Sequence, residues 1–185
     1  MKLSGLLSSA LLASLIATSA SCRDSSLLGV SPPLPANPSL SKVVHSQLLL
    51  TCPQAYDSVS KVIGPKGGHF SLGSHYFQVD QGALADTVTI TAVAPADTIR
   101  WVRFQPEGLV FKTNPRDGWG ALLTTDYTNC VSTNVTGLRI AQITDALGVI
   151  QYLQTWTKIK QNPLGTGNQY VAAVIPHFSN YAVAW

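Results

Sequence analysis

Over residues 86–94 polar and apolar side chains alternate, with Thr87, Thr89 and Thr91 on one parity and Val88, Ile90 and Ala92 on the other. Side chains of an extended chain point alternately to opposite faces, so this spacing predicts a strand with one face buried and one solvated. Short apolar runs rich in β-branched and aromatic residues predict further strands at 43–51, 75–79, 99–104, 121–127, 138–144, 149–158, 170–175 and 178–185. Turn formers separate them: Gly64-Pro65, Gly67-Gly68, Pro95, Pro106, Asp117-Gly118, 145–148 and 162–167. From Lys42 onward no segment places apolar residues at helical spacing among strong helix formers, and Glu107 is the only glutamate of the chain. Many short strands divided in this way predict an all-β domain over residues 42–185, an antiparallel β-sandwich.

The first 41 residues follow another pattern. Met1-Lys2 is a short positive start, and the apolar stretch 6–16 is only 11 residues long, against the roughly 20 that a membrane-spanning helix requires. Residues 1–21 therefore read as a secretory signal peptide. The small residues Ala17-Thr18-Ser19-Ala20-Ser21 lead to Cys22, and together they resemble the lipobox of bacterial lipoproteins, in which the cysteine is diacylated and becomes the new N-terminus. Ser19 departs from that pattern, where an aliphatic residue is usual. Ordinary signal-peptidase cleavage in the same stretch is the alternative, and either route exports the chain. Residues 22–41, with Ser31-Pro32-Pro33, Pro35 and Asn37-Pro38, lack apolar periodicity and read as a Ser/Pro-rich linker between lipid and domain. The lipobox resemblance implies a bacterial cell-envelope protein held to the outer membrane or cell surface through its N-terminal lipid.

Composition excludes several classes. Hydrophobic residues make up 45% of the chain and charged ones 11%, with 12 Lys and Arg against 9 Asp and Glu; this is neither a disordered chain nor a nucleic-acid binder. Of three cysteines, Cys22 belongs to the lipobox, which leaves Cys52 and Cys130 as an even pair in an oxidising compartment. A disulfide between them is predicted, with two buried free thiols as the alternative.

Known catalytic patterns are missing from the sequence: there is no Gly-x-Ser-x-Gly, no His-Glu-x-x-His and no phosphate-binding loop, and Gly64-Pro65-Lys66-Gly67-Gly68 reads as a turn. His69 and His75 are six apart with Gly73-Ser74 between them, and they read as surface or half-buried residues, so neither a metal site nor a cofactor is expected. Asn134-Val135-Thr136 matches a glycosylation acceptor for which a bacterial lipoprotein has no evident use. Trp156 lies on the same strand parity as Lys158 and Lys160, a candidate ligand face for a glycan. Core packing of the tryptophan beside solvated lysines is the alternative.

Several stretches read together resemble one family. Val62-Ile63-Gly64-Pro65-Lys66-Gly67-Gly68-His69-Phe70, then Phe77-Gln78-Val79-Asp80-Gln81-Gly82-Ala83-Leu84, then the strand through Ile90, resemble the opening of ZU5 domains, I-G-P-x-G-G-x-L, I-P-x-G-A-L and V-T-I. Pro106-Glu107-Gly108-Leu109-Val110-Phe111 resembles the family's P-x-G-L-x-F strand, and His177-Phe178-Ser179-Asn180-Tyr181 its closing H-F-S-x-Y. Residues 58–111 and 170–185 carry the resemblance; Val79-Asp80-Gln81 departs from I-P-x, and 138–160 has no matching motif. The resemblance implies a ZU5-like β-sandwich that works as an adhesion or assembly module, with a protein or glycan partner still to be identified and no enzymatic activity.

It also implies one piece of chemistry. Some autoprocessing ZU5-related proteins cut themselves between Phe and Ser of His-Phe-Ser. Here Ser179 Oγ would attack the Phe178 carbonyl while His177, on the same strand parity as Ser179, assists proton transfer. Such a step needs a strained peptide. The alternative is that His177 and Ser179 are paired by hydrogen bonds as the sheet closes, with Tyr181, Val183 and Trp185 packing along the same side.

Overall fold

A computed structural model of the chain describes residues 48–115, 118–130, 137–158, 163 and 169–185. The predicted leader 1–21, Cys22, the predicted linker 22–41, the acceptor motif at Asn134 and Lys160 lie outside the described residues. In chain order the strands are β1 (Thr51–Gln54), β2 (Asp57–Ile63), β3 (Gly68–Leu72), β4 (His75–Val79), β5 (Val88–Ala94), β6 (Asp97–Ile99), β7 (Trp101–Gln105), β8 (Ala121–Asp126), β9 (Arg139–Ile143), β10 (Val149–Tyr152), β11 (Thr155–Trp156), β12 (Tyr170–Val174) and β13 (Asn180–Ala184). Among the described residues there is no helix.

The strands form an antiparallel β-sandwich. One sheet has six strands in the order β10-β9-β13-β7-β5-β2, the other five in the order β11-β12-β8-β4-β3, and β1 pairs separately with β6. Every pairing is antiparallel. Inward side chains of both sheets meet in one core, with Ile63, Ile90, Val102, Phe104, Ile140 and Tyr181 from the first and Leu72, Phe77, Val79, Leu123 and Val171 from the second.

All five phenylalanines of the chain join a single cluster in that core. Phe77 lies 5.3 Å from Phe70, 4.8 Å from Phe104, 6.1 Å from Phe111 and 5.6 Å from Phe178 between ring centroids. Phe178 stacks on Phe104 at 5.1 Å and meets Phe111 edge-on at 5.0 Å. Offset and edge-to-face rings of this kind attract one another beyond the area they bury.

The sandwich is closed along both sides by segments that change sheets. On one side β2 and β3 are consecutive edge strands of different sheets, joined at Gly64-Pro65-Lys66-Gly67, where the Gly67 N–H donates to the Gly64 carbonyl at 2.9 Å. Gly67 has φ +74°, and a Cβ there would stand 2.5 Å from the Val79 carbonyl oxygen, so the approach of this turn to β4 requires glycine. On the other side β10 and β11 form the opposite edges. Between them the Leu153 N–H donates to the Ile140 carbonyl at 2.9 Å, and the Ile140 N–H donates to Thr155 Oγ1 at 3.0 Å.

Several strands depart from the sequence expectation. β2 and β3 were not anticipated: β2 is an edge strand on which only Ile63 is buried, so it carries no apolar alternation, and its seven-residue ladder with β5 holds it extended. The run 99–104 breaks at Arg100 into β6, which pairs with β1, and β7, which enters the six-stranded sheet. The run 149–158 is divided between the two sheets, and the last strand begins at Asn180 and not at Phe178. The first strand lies at Thr51–Gln54, while Leu49 makes an isolated bridge to Ala184. A second apolar cluster, with Leu49, Ile99, Trp101, Ile143 and Leu147, packs on the Ala182 and Ala184 side of β13, opposite Tyr181 and Val183.

Cys52 and Cys130 are joined by a disulfide, and Cys52 is buried. The bond spans 78 residues of sequence. Replacing both cysteines by alanine is expected to lower unfolding free energy by about 3 to 5 kcal/mol, as loop-closure entropy returns to the unfolded chain; urea denaturation of the oxidised and double-variant proteins measures this. Gly67→Ala is expected to cost more than about 1 kcal/mol in the same assay, since alanine at positive φ is strained even without the carbonyl contact.

Candidate functional site

The His177-Phe178-Ser179 segment forms a bend ahead of β13, and residues 106–111 run beside it. The Phe178 N–H donates to the Leu109 carbonyl at 2.8 Å, the Phe111 N–H to the Pro176 carbonyl at 3.1 Å, and the Phe104 N–H to the Ser179 carbonyl at 3.1 Å. The Phe178 ring is completely buried in the aromatic cluster. Below it, the Tyr181 hydroxyl donates to the His177 carbonyl at 2.6 Å. Burial pushes the Tyr181 pKa upward, which keeps that hydroxyl protonated and donating.

Because the segment bends, the alternation expected of a strand does not govern where His177 and Ser179 point. Their side chains have separate partners. Ser179 Oγ accepts a hydrogen bond from Gln142 Nε2 at 3.1 Å, whereas His177 Nδ1 lies 3.1 Å from the Phe178 carbonyl oxygen. A carbonyl only accepts, so this nitrogen carries the proton. The Gly108 N–H donates to the same oxygen at 3.0 Å. Two donors thus converge on the carbonyl that a self-cleaving chain would attack, the polarising arrangement of an oxyanion hole. The nearby hydroxyl is held by an amide and not by the imidazole. A small cavity of about 80 Å³ adjoins Ser179, with Arg103 and Asp145 on its wall. Arg103 pairs with Asp145 at 2.7 Å, and Asn180 Nδ2 donates to the same carboxylate at 2.9 Å.

Trp156 is half-buried on β11, opposite Ala172 of β12, and Lys158 beyond it is exposed. The structure therefore puts the predicted ligand face at the outer edge of the five-stranded sheet. His69 is exposed on β3 and stacks on Tyr76 at 5.5 Å between centroids. No group of three or more His, Cys, Asp or Glu side chains able to hold a metal occurs among the described residues.

His75 differs from its expected surface or half-buried placement: it is 2% exposed. It shares the inward parity of β4 with Phe77 and Val79, and that alternation was the available signal. Its Nε2 lies 3.3 Å from Gln54 Oε1 and its Nδ1 3.0 Å from Thr125 Oγ1. The amide oxygen accepts from Nε2–H, and the threonine hydroxyl donates to Nδ1, which defines a neutral imidazole. Gln54 Nε2 in turn donates to the Trp101 and Pro95 carbonyls at 2.7 and 3.0 Å. Arg100, 7% exposed, donates through Nη1 to the Asp126 carbonyl and through Nη2 to the Pro53 carbonyl at 3.3 Å. Burial lowers the Arg100 pKa while the Asp126 carboxylate raises it. Sequence reasoning missed this group because its members come from distant strands.

No protein-family model matches the chain, and no curated protein matches it.

Burial, reinforced by the Arg100 charge, lowers the His75 pKa from 6.5 to about 3. Between those values the unfolded chain binds a proton there and the folded chain does not. The contribution of His75 to stability is therefore complete above pH 6.5 and is lost as pH falls toward 3. The expected slope reaches about 1.4 kcal/mol per pH unit. Urea midpoints taken from pH 7.5 downward should show this decline in the wild type and a shallower one in His75→Gln.

Proposed function

We propose that this chain is an exported, lipid-anchored, ZU5-like module with a non-enzymatic binding or structural role in the bacterial cell envelope. The Cys52–Cys130 disulfide carries the reading, since such bonds persist in oxidising compartments and are rare in the cytosol. With it goes the order of the N-terminal segments: a short apolar leader, small residues, Cys22 and a Ser/Pro-rich linker ahead of the sandwich.

The ZU5 resemblance gains support from how its pieces meet. Ile63 ends β2, Gly64 to Gly67 turn into β3, and Phe77 to Val79 complete β4. The segments resembling P-x-G-L-x-F and H-F-S-x-Y lie far apart in sequence yet are hydrogen-bonded to each other through Leu109 and Phe178. His-Phe-Ser then acts as a corner, anchored by the buried Phe178, that locks two distant segments together, a structural task that requires no turnover. One observation favours a second reading, self-cleavage between Phe178 and Ser179: the paired donors on the Phe178 carbonyl.

Intact denatured mass of the full chain expressed in a bacterial host, with and without reductant, tests both. The expected species starts at Cys22, carries a diacylglyceryl adduct, lacks two hydrogens until reduced and is uncut. An unlipidated chain cleaved elsewhere in the 17–21 stretch would remove the anchor. Separation of Ser179 to Trp185, abolished by Ser179→Ala, would overturn the non-enzymatic role.

A further inference from the structure

A cleft of about 390 Å³ lies away from the His-Phe-Ser corner and from Trp156, with Gln54, Tyr56, Asp57, Ser74 and Arg100 among its lining residues. Its size falls within the range of small-molecule sites.

Arg100 and Asp57 both line it, and they make no ion pair with each other. Arg100 is 93% buried and its guanidinium is protonated at any physiological pH. Among the described residues its hydrogen bonds go only to backbone carbonyls, those of Pro53 and Asp126, and its buried Nε has no partner. The only ion pair among the described residues is Arg103 with Asp145. The Asp126 carboxylate attracts Arg100 through space but forms no ion pair with it, and its Oδ1 accepts from the Thr128 N–H and hydroxyl at 2.7 and 2.6 Å. The one carboxylate on the cleft, Asp57, accepts from the Ser58 and Gly73 N–H groups at 2.8 and 2.7 Å. A buried cation with no counter-ion in direct contact is costly, and two carbonyl dipoles with the through-space attraction of Asp126 compensate it only in part.

We propose that this cleft binds a small organic carboxylate with a cyclic body, whose carboxylate supplies the counter-charge of Arg100. A planar carboxylate matches the guanidinium fork. Asp57 on the same cleft disfavours a dianion such as phosphate, while its remaining lone pairs can accept from a ligand hydroxyl. Tyr56 is 64% exposed, with its ring free to carry the cyclic body of the ligand. Ser74 adds a polar side chain to the lining. The site depends on neither the lipid anchor nor the ZU5 reading.

The test is an amide-resolved NMR titration of the oxidised, folded protein with D-glucuronate and benzoate, each beside its neutral counterpart, D-glucose and benzamide. Saturable shifts are expected at Gln54, Tyr56, Ser74 and Arg100 with a carboxylate, and binding weaker by about tenfold or more with the neutral counterpart. Arg100→Gln is expected to abolish the response. Because that buried variant can fail to fold, Tyr56→Ala, at an exposed position, is the second: it should leave the remaining spectrum intact and weaken carboxylate binding several-fold. No saturable shift with either carboxylate, equal shifts with the neutral compounds, or undiminished affinity in Tyr56→Ala would overturn the proposal.

Discussion

The packing of the five phenylalanines is the contact on which the rest of the structure depends. Phe70 and Phe77 come from the five-stranded sheet, Phe104 from the six-stranded sheet, and Phe111 and Phe178 from the segments that lie beside each other at the bend before β13. The cluster therefore holds both layers and the closing corner at once. Truncating one such buried ring typically costs about 3 to 5 kcal/mol, a large share of the stability of a small domain. Backbone bonds from the Phe178 N–H to Leu109 and from the Phe111 N–H to Pro176 make sense only with these rings seated, since they fasten loops to each other and not strands within a sheet.

At the start of β4 the interior changes character. Two residues before Phe77, the same inward parity is occupied by His75, and from there a polar group extends through Gln54 and Thr125, with Arg100 close by. The disulfide anchors this region, because Cys52 precedes Pro53, whose carbonyl accepts from Arg100. A neutral histidine near a buried cation requires complete hydrogen bonding, and the bonds to Gln54 and Thr125 provide it. The aromatic part and the polar part of the core thus perform different tasks: the first joins the sheets, while the second carries charge beneath an open cleft.

At the His-Phe-Ser corner the same constraint limits what the motif can do. Seating Phe178 in the cluster fixes its carbonyl against Gly108 and His177, and leaves Ser179 to Gln142. The imidazole is bound to the carbonyl it would need to leave if it were to act on the serine. Chemistry at this corner would require His177 to exchange partners, whereas its structural role is already satisfied in the folded chain.

Much of the fold was legible from local pattern. The alternation around Ile90 predicted β5, the run 75–79 predicted β4, and the two cysteines of the strand-rich region predicted the bond between Cys52 and Cys130. These features follow from periodicity and residue chemistry, which act over a few neighbours or are settled by counting. Edge strand β2 was invisible because its exposed side chains carry no burial pattern, and the breaks at Arg100 and between Tyr152 and Thr155 come from which sheet each half joins. The partners of His177, Ser179, His75 and Arg100 belong to the same class, since each is supplied by a strand or loop distant in the chain. By itself the sequence determined the strand-rich class and the pairing of the cysteines. Only the tertiary structure decided which polar groups are buried together, because a hydrogen-bond partner is chosen by proximity in space and proximity across sheets is set by packing.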